Sequence, residues 1–219
     1  MFRIKICGLT SLEDALAAAE AGADAIGLNF YPGSPRYVML DDAAAIAANL
    51  PANVLKVGVF VNAAATDIRR HVAAVGLDAV QLHGDEPPEF LSELKGISLL
   101  RALRPAPGET ASIHAWVARA RELNVLPDML LVDALRAGEY GGTGARADWT
   151  AAAQLCREES LPPICLAGGL NPENVADAIA AVRPTAVDVA SGVESSPGRK
   201  DAQKMRHFVA AARQAFGFP

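Results

Sequence analysis

Short apolar segments alternate along the chain with longer amphipathic ones. The apolar segments are nearly unbroken hydrophobic runs, a pattern typical of parallel strands that are covered by helices on both faces. The amphipathic segments carry apolar residues at helical spacing. We predict eight strands, at residues 2–6, 25–29, 55–61, 79–82, 98–103, 129–133, 164–167 and 186–190.

A helix is predicted after each strand, which gives eight β/α units. These helices fall at residues 11–21, 42–49, 64–75, 88–94, 111–123, 149–158, 172–182 and 202–215. Eight such units in a chain of 219 residues predict a (β/α)8 TIM barrel, with residues 1–219 as one domain. A doubly wound sheet is the alternative, but the count of eight and the lack of an early GxGxxG motif argue against it.

The amino-acid composition argues against a disordered protein and against several kinds of partner. Apolar residues make up 51% of the chain and charged residues 21%, which excludes a disordered protein. A net charge of -5 and an aromatic content of 5% argue against nucleic acid as a partner. No apolar run approaches the ~20 residues of a membrane span, and no signal-peptide pattern precedes the first strand. We therefore expect a cytoplasmic protein with no membrane partner.

The three cysteines, Cys7, Cys156 and Cys165, form no CxxC pair. Their number and spacing argue against a disulfide framework and against a zinc site, so no metal is expected. At least one of the thiols is expected to be ordinary core.

Polar side chains follow several of the predicted strands. In a barrel the loops at the carboxyl ends of the strands form the site, so Cys7, Arg36, His83 and Asp133 should converge there. Each has a structural alternative. Cys7 could be a small core residue, Arg36 a surface residue stacked on Tyr37, and His83 a residue that orients its loop. Asp133 follows a buried strand and must be paired, capping or functional.

The last two predicted strands are followed by small residues that suit phosphate binding. Gly168 and Gly169 follow the seventh strand, and Ser191 and Gly192 follow the eighth. Glycine lets backbone N–H groups approach an anion closely, and the loops after strands seven and eight are where such barrels bind phosphate. We expect these four residues to hold a phosphate group.

Six motifs occur in an order and spacing that resemble the phosphoribosylanthranilate isomerase family over essentially the whole chain. They are KICGLT at 5–10, SPR at 34–36, QLHG at 81–84, GGTG at 141–144, AGGLNPENV at 167–175 and VDVASGVE at 187–194. Two positions depart from the family pattern, Ala134 and Ala190, where serine is common. Neither departure removes a catalytic group, though Ala190 leaves one fewer hydroxyl near the phosphate.

The resemblance implies a cofactor-free Amadori rearrangement in the tryptophan pathway. The substrate would be the phosphosugar N-(5-phosphoribosyl)anthranilate and the product 1-(2-carboxyphenylamino)-1-deoxyribulose 5-phosphate. By the same resemblance Cys7 is the general base and Asp133 the general acid. We expect Arg36 to hold the anthranilate carboxylate and His83 to lie at the substrate, while the loop containing Gly142 folds over the reacting carbons.

Two other functions remain open at this stage. A related aminoaldose isomerase of the histidine pathway would need an aspartate at the position of Cys7. A catalytically idle, phosphate-binding regulator would not need Cys7 and Asp133 together. The sequence leaves open whether the protein is a monomer or a homodimer.

Overall fold

A computed structural model describes residues 2–105, 109–133 and 148–217. Its barrel strands are β1 Ile4–Cys7, β2 Ala25–Asn29, β3 Leu55–Phe60, β4 Ala79–Leu82, β5 Leu99–Leu103, β6 Met129–Val132, β7 Ile164–Leu166 and β8 Ala186–Val189. The α-helices are α1 Leu12–Glu20, α2 Leu40–Ala48, α3 Ala65–Val75, α4 Ala111–Glu122, α5 Trp149–Cys156, α6 Val175–Val182 and α7 Ala202–Phe216. Two 3₁₀ helices span Pro88–Leu94 and Ser191–Val193, and a hairpin pairs β9 Glu194–Ser196 with β10 Arg199–Lys200.

The eight strands β1 to β8 are parallel, pair in sequence order and close when β8 pairs with β1. This confirms the predicted (β/α)8 TIM barrel and excludes the doubly wound sheet. The closing register places Lys5 opposite Asp188 and Ile6 opposite Val189.

Three local features differ from the sequence prediction. The segment 88–94 forms a 3₁₀ helix of seven residues rather than an α-helix. The helix predicted from residue 172 begins at Val175, and residues 172–174 form a turn in which the Asn171 side chain accepts hydrogen bonds from the N–H groups of 173 and 174. The hairpin of β9 and β10 was not predicted.

Alternate residues of each strand face two separate cores. One core fills the barrel interior and includes Leu100, Leu131 and Cys165, while a larger one lies between the strands and the helices. Ile4 and Ile6 of β1 belong to the outer core, so Lys5 and Cys7 face the interior. Lys5 therefore lies in the barrel interior, and Cys7, the last residue of β1, lies at the carboxyl end of the barrel.

Aspartates at the amino end of the barrel bind the starts of β1, β3 and β5. Asp24 accepts from the N–H of Ile4 at 2.9 Å, Asp78 from that of Lys56 at 2.8 Å, and Asp128 from that of Leu99 at 2.8 Å. Each aspartate lies immediately before the next, even-numbered strand. Neighbouring strands are thus tied together at their bases.

Among the described residues, no helix combines the length and the apolar character that crossing a bilayer requires.

We expect Asp24→Ala to lower the free energy of unfolding by about 1–3 kcal/mol, since the N–H groups of Arg3 and Ile4 both lose a charged acceptor. Urea unfolding followed by circular dichroism measures this. Asp41→Ala, at an exposed position in the first turn of α2, is the control and should change stability by no more than ~0.5 kcal/mol. Equal effects of the two substitutions would contradict a capping role for Asp24.

Candidate active site

Cys7 is the last residue of β1 and points into the mouth of the barrel, where it is 8% exposed. The prediction that the strand ends one residue earlier is corrected by its pairing with Gly27 of β2. A Cβ atom on residue 27 would lie 2.6 Å from Cys7 Sγ, so glycine is needed there to make room for the thiol. The neighbouring strand therefore shapes a pocket for the sulfur atom.

Lys5 lies two residues before Cys7 and is fully buried in the barrel interior. Its Nζ donates to Asp188 Oδ1 of β8 at 2.9 Å. Burial alone would lower the pKa of Lys5, but the negative charge of Asp188 and the proximity of Cys7 outweigh burial and raise it. The ammonium group is therefore a fixed positive charge beneath the thiol.

The electrostatic environment of Cys7 contains opposing effects. Burial raises the pKa of the Cys7 thiol above its ordinary value, and the Asp188 carboxylate adds to this increase. The ammonium groups of Lys5 and Lys200 act in the opposite direction, since each stabilises a thiolate. The two lysines thus limit the cost of ionising a buried sulfur atom.

Asp133 follows β6 and is buried on another side of the barrel mouth. Its Oδ2 atom lies 3.3 Å from Nε2 of His83, which follows β4. The other ring nitrogen of His83, Nδ1, lies 2.7 Å from Nε2 of Gln81. When the Gln81 amide donates to Nδ1, the ring hydrogen is on Nε2, which lies near Asp133 without the geometry of a hydrogen bond. The structure therefore brings together His83 and Asp133, as predicted.

Arg36 is 7% exposed, so it is not a surface residue stacked on Tyr37. Its Nε and Nη2 atoms donate to the two carboxylate oxygens of Glu194 at 2.7 and 2.8 Å. Lys200 Nζ also donates to Glu194, at 2.9 Å from Oε1. The pKa of Glu194 is lowered, because these cations outweigh the effect of burial. The guanidinium is thus held in one orientation by a carboxylate that the sequence analysis missed.

The glycine loops lie where the prediction placed them, after β7 and β8. Gly168 and Gly169 have φ values of 82° and 65°, a left-handed conformation that favours glycine. Ser191 opens the short 3₁₀ helix after β8. A Cβ atom on residue 192 would lie 1.9 Å from the carbonyl oxygen of Leu170, so Gly192 lets the two loops touch. Gly142 lies outside the described residues.

A further buried ion pair, between Glu86 and Arg101, stabilises the loop that follows His83. Glu86 accepts from the N–H groups of Asn62 and Gly84 at 2.8 and 3.0 Å, and it binds the Arg101 guanidinium. Burial lowers the pKa of Arg101, and the negative charge of Glu86 opposes this. Since Arg101 also donates to the carbonyl groups of Leu82 and Gly84, it fixes the backbone on both sides of His83.

The sequence did contain a signal for some of the residues that were missed. Lys5 and Asp188 each lie inside an apolar strand, and a charged residue that is buried there requires a partner. Glu194 and Lys200 carry no such signal, because they lie in a hairpin whose packing the sequence pattern does not reveal.

The remaining thiols lie away from this site or inside the core. Cys165 is fully buried, and burial raises its pKa well above the ordinary value, which confirms that one thiol is core. Within the part of the chain that the structure describes, no group of three or more His, Cys, Asp or Glu residues could hold a metal ion.

A closed (β/α)8 barrel with ionisable side chains at the carboxyl ends of its strands defines an enzyme of the TIM-barrel class. Comparison with known protein families identifies the family within this class. The chain belongs to the N-(5'-phosphoribosyl)anthranilate (PRA) isomerase family, whose family model matches residues 4–211. It is an isomerase of tryptophan biosynthesis.

Two relatives match the chain over nearly its whole length. The chain is 52% identical over 213 residues to N-(5'-phosphoribosyl)anthranilate isomerase of Myxococcus xanthus, covering 96% of each protein. It is 49% identical over 217 residues to the enzyme of Magnetococcus marinus, covering 97% of this chain and 96% of that protein.

Solved structures of phosphoribosyl anthranilate isomerases also match the chain over nearly its whole length. The crystal structure of phosphoribosyl anthranilate isomerase from Thermotoga maritima has a TM-score of 0.83 and 40% identity, covering 98% of this chain and 100% of that chain. Another phosphoribosyl anthranilate isomerase, in complex with reduced 1-(o-carboxyphenylamino)-1-deoxyribulose 5-phosphate, has a TM-score of 0.80 and 40% identity, with the same coverage. The Thermotoga maritima enzyme is also described as dimeric.

We expect Lys5→Met and Asp188→Asn to shift the ionisation of Cys7 in opposite directions. Losing the Lys5 ammonium destabilises the thiolate, so alkylation of Cys7 by iodoacetamide should slow at least ~5-fold at neutral pH and recover at higher pH. Losing the Asp188 charge should move the alkylation profile to lower pH. Mass spectrometry of the peptide containing Cys7 measures both rates.

Lys56→Met is the matched control, because Lys56 also lies on a barrel strand and is paired with an aspartate, Asp78, at 2.8 Å. Its alkylation profile should equal that of the parent. A shift of the same sign in the Lys5 and Asp188 variants would show that the pair acts on Cys7 through packing rather than charge.

Proposed function

We propose that this protein converts N-(5-phosphoribosyl)anthranilate to 1-(2-carboxyphenylamino)-1-deoxyribulose 5-phosphate by a cofactor-free Amadori rearrangement. The observation that carries the proposal is the presence of Cys7 and Asp133 at the same end of the barrel in a member of this family. The two residues end strands on different sides of the barrel mouth, so a substrate bound between them could meet an acid on one side and a base on the other.

Asp133 is the proposed general acid. Its carboxyl group gives a proton to the ring oxygen of the phosphoribosyl group, and the C1–O bond breaks while the amine nitrogen forms a double bond to C1. His83 lies beside this carboxyl group, with its Nε2 atom 3.3 Å from Oδ2. The product of the step is an open-chain Schiff base.

Cys7 is the proposed general base for the second step. The Schiff base acidifies the hydrogen on C2, and the Cys7 thiolate removes it as the electrons move to the nitrogen atom. The resulting enolamine becomes the ketone by proton transfer from the C2 hydroxyl to C1. Lys5 and Lys200 support this assignment, since they favour the thiolate that a base requires.

The two ends of the substrate would be held apart. We propose that Arg36 binds the anthranilate carboxylate, with its guanidinium already oriented by Glu194. The backbone of Gly168, Gly169, Ser191 and Gly192 would bind the phosphate. His83 and Gly142 complete the proposed substrate contacts. Holding both ends fixes the reacting carbons between Cys7 and Asp133.

We further propose that residues 1–219 act as one barrel domain in the cytoplasm, as a monomer or a homodimer, with this phosphosugar as the substrate and without a nucleic-acid or membrane partner. The direct test is to add phosphoribosylanthranilate to the purified protein and follow the loss of anthranilate fluorescence. No change with folded protein would refute the proposed reaction.

Cys7→Ser and Asp133→Asn should each lower kcat by at least ~100-fold with a small change in KM. Serine is hardly ionised at neutral pH, and asparagine cannot give up a proton in place of the acid. The double variant should be scarcely slower than the poorer single variant, because residues that act as one catalytic unit are not additive. Steady-state kinetics on phosphoribosylanthranilate provides the measurement.

Cys156→Ser is the control for this pair and should retain parental kinetics, since Cys156 ends α5 on the outside of the barrel. If Cys7→Ser kept a kcat near that of the parent, Cys7 would be a packing residue and His83 would become the candidate base.

Gly169→Asp and Gly169→Asn form a matched pair for the phosphate loop. Both side chains meet the same left-handed backbone, but only aspartate adds a negative charge. We expect KM to rise at least ~10-fold more for Asp than for Asn, because the added carboxylate would repel the phosphate. Equal KM values for the two folded variants would place the phosphate elsewhere.

A further inference from the structure

A buried chain of charges connects the loop after β2 to the hairpin after β8. Arg36 binds Glu194 through two hydrogen bonds, and Glu194 binds Lys200, whose side chain is 0% exposed. Lys200 Nζ also donates to the carbonyl oxygen of Ala190 at 3.0 Å. Ala190 directly precedes Ser191 and Gly192, so Lys200 contacts both ends of the segment between β8 and β9.

The cluster of Arg36, Glu194 and Lys200 carries one net positive charge. Arg36 and Glu194 alone form a neutral pair, which has little net attraction for an anion. Burial lowers the pKa of Lys200, and the Glu194 carboxylate opposes that effect. With Lys200 as an ammonium that donates to the carboxylate, the three side chains carry a net charge of about +1. The adjacent pair of Lys5 and Asp188 is neutral and adds no charge, and the Asp14 carboxylate faces the backbone N–H of Lys200 rather than its ammonium group.

The backbone fixes Lys200 relative to Arg36. The N–H of Lys200 donates to Asp14 Oδ2 at 3.0 Å, and the carbonyl oxygen of Gly198 accepts from Thr10 Oγ1 at 2.7 Å. Gly198 has a φ of 81°, and a Cβ atom on it would lie 2.7 Å from the carbonyl oxygen of Pro35. The hairpin is therefore packed against the residue that precedes Arg36.

The aliphatic part of Arg36 is also confined. A Cβ atom on residue 8 would lie 2.4 Å from Arg36 Cδ, so Gly8 provides the space in which that side chain passes. The Arg36 side chain is thus confined along its stem by Gly8, which follows β1, and at its guanidinium by Glu194.

We propose that Lys200 is a positioning residue for substrate recognition, which anchors Glu194 and gives the Arg36 cluster the net positive charge that selects a carboxylate on the substrate. This inference rests on the proposed role of Arg36 as the group that binds the anthranilate carboxylate. Lys200 itself acts through Glu194 and does not touch the substrate.

Two probes separate this role from a general effect on the site. One is reduced 1-(o-carboxyphenylamino)-1-deoxyribulose 5-phosphate, and the other is the same compound without the carboxylate. In calorimetric titrations, Lys200→Met should weaken binding of the first probe at least ~10-fold and leave the second within ~2-fold of the parent. In kinetics, KM should rise more than kcat falls.

Three further variants complete the design. Lys204→Met is the control, because the Lys204 side chain donates to the backbone carbonyl of Glu194 and not to its carboxylate, and it should bind both probes like the parent. The double variant Glu194→Gln and Lys200→Met restores a net charge of about +1 through Arg36 alone, and it should recover affinity for the carboxylated probe. Lys200→Gln, which keeps a hydrogen-bond donor but no charge, takes the place of Lys200→Met if that variant does not fold.

The outcomes distinguish this inference from the proposed function. Parental affinity of Lys200→Met for the carboxylated probe, equal losses for both probes, or no recovery in the double variant would each overturn the role of Lys200. Arg36→Met tests the underlying function separately, and it should lose affinity for the carboxylated probe alone. If Arg36→Met binds both probes like the parent, the assignment of Arg36 is wrong, whatever Lys200 does.

Discussion

The ion pair of Lys5 and Asp188 lies on the seam where the barrel closes. These residues are register partners on β1 and β8, and their side chains meet in the interior at 2.9 Å. Removing one member of a buried pair leaves an uncompensated charge and typically costs about 3–5 kcal/mol. The same pair sets the electrostatic field beneath Cys7. One contact therefore contributes both to closure of the barrel and to the ionisation of the thiol.

The site is built with little freedom to rearrange. The thiol occupies space left by Gly27, and the stem of Arg36 occupies space left by Gly8. The loops after β7 and β8 touch at Gly192, where a larger residue would collide with a carbonyl oxygen. A preorganised site of this kind needs little reorganisation when charge develops in a transition state. Close packing thus requires glycine at positions 8 and 27, and at position 192 it acts together with the anion that Gly192 is proposed to bind.

Most of the fold could be predicted from the sequence, because apolar runs of strand length and helical spacing are local signals. The strand ends also predicted the convergence of Cys7, His83 and Asp133 at one end of the barrel. The hairpin with Lys200 could not be predicted in this way, since its position depends on contacts with Thr10 and Asp14 far away in the sequence. The orientation of Arg36 was missed for the same reason.

Lys5 illustrates an intermediate case. A lysine between two isoleucines in a strand could have been recognised as a buried charge, but its partner, Asp188, lies at the other end of the chain. Identifying the partner required knowledge that the first and last strands are neighbours. The role of Lys5 can thus be recognised only when the strand order is known.

The aspartates at the base of the barrel suggest a modular view of its architecture. Asp24, Asp78 and Asp128 each join an odd-numbered strand to the even-numbered strand that follows, while the equivalent residue before β8 is Thr185. The barrel wall can thus be divided into four two-strand modules. In three of them an aspartate hydrogen bond, here called a clasp, joins the two strands of the module. The fourth contains β8, which pairs with β1 of the first module. Exchange of whole modules between related barrels would preserve each clasp, whereas a cut inside a module would break one.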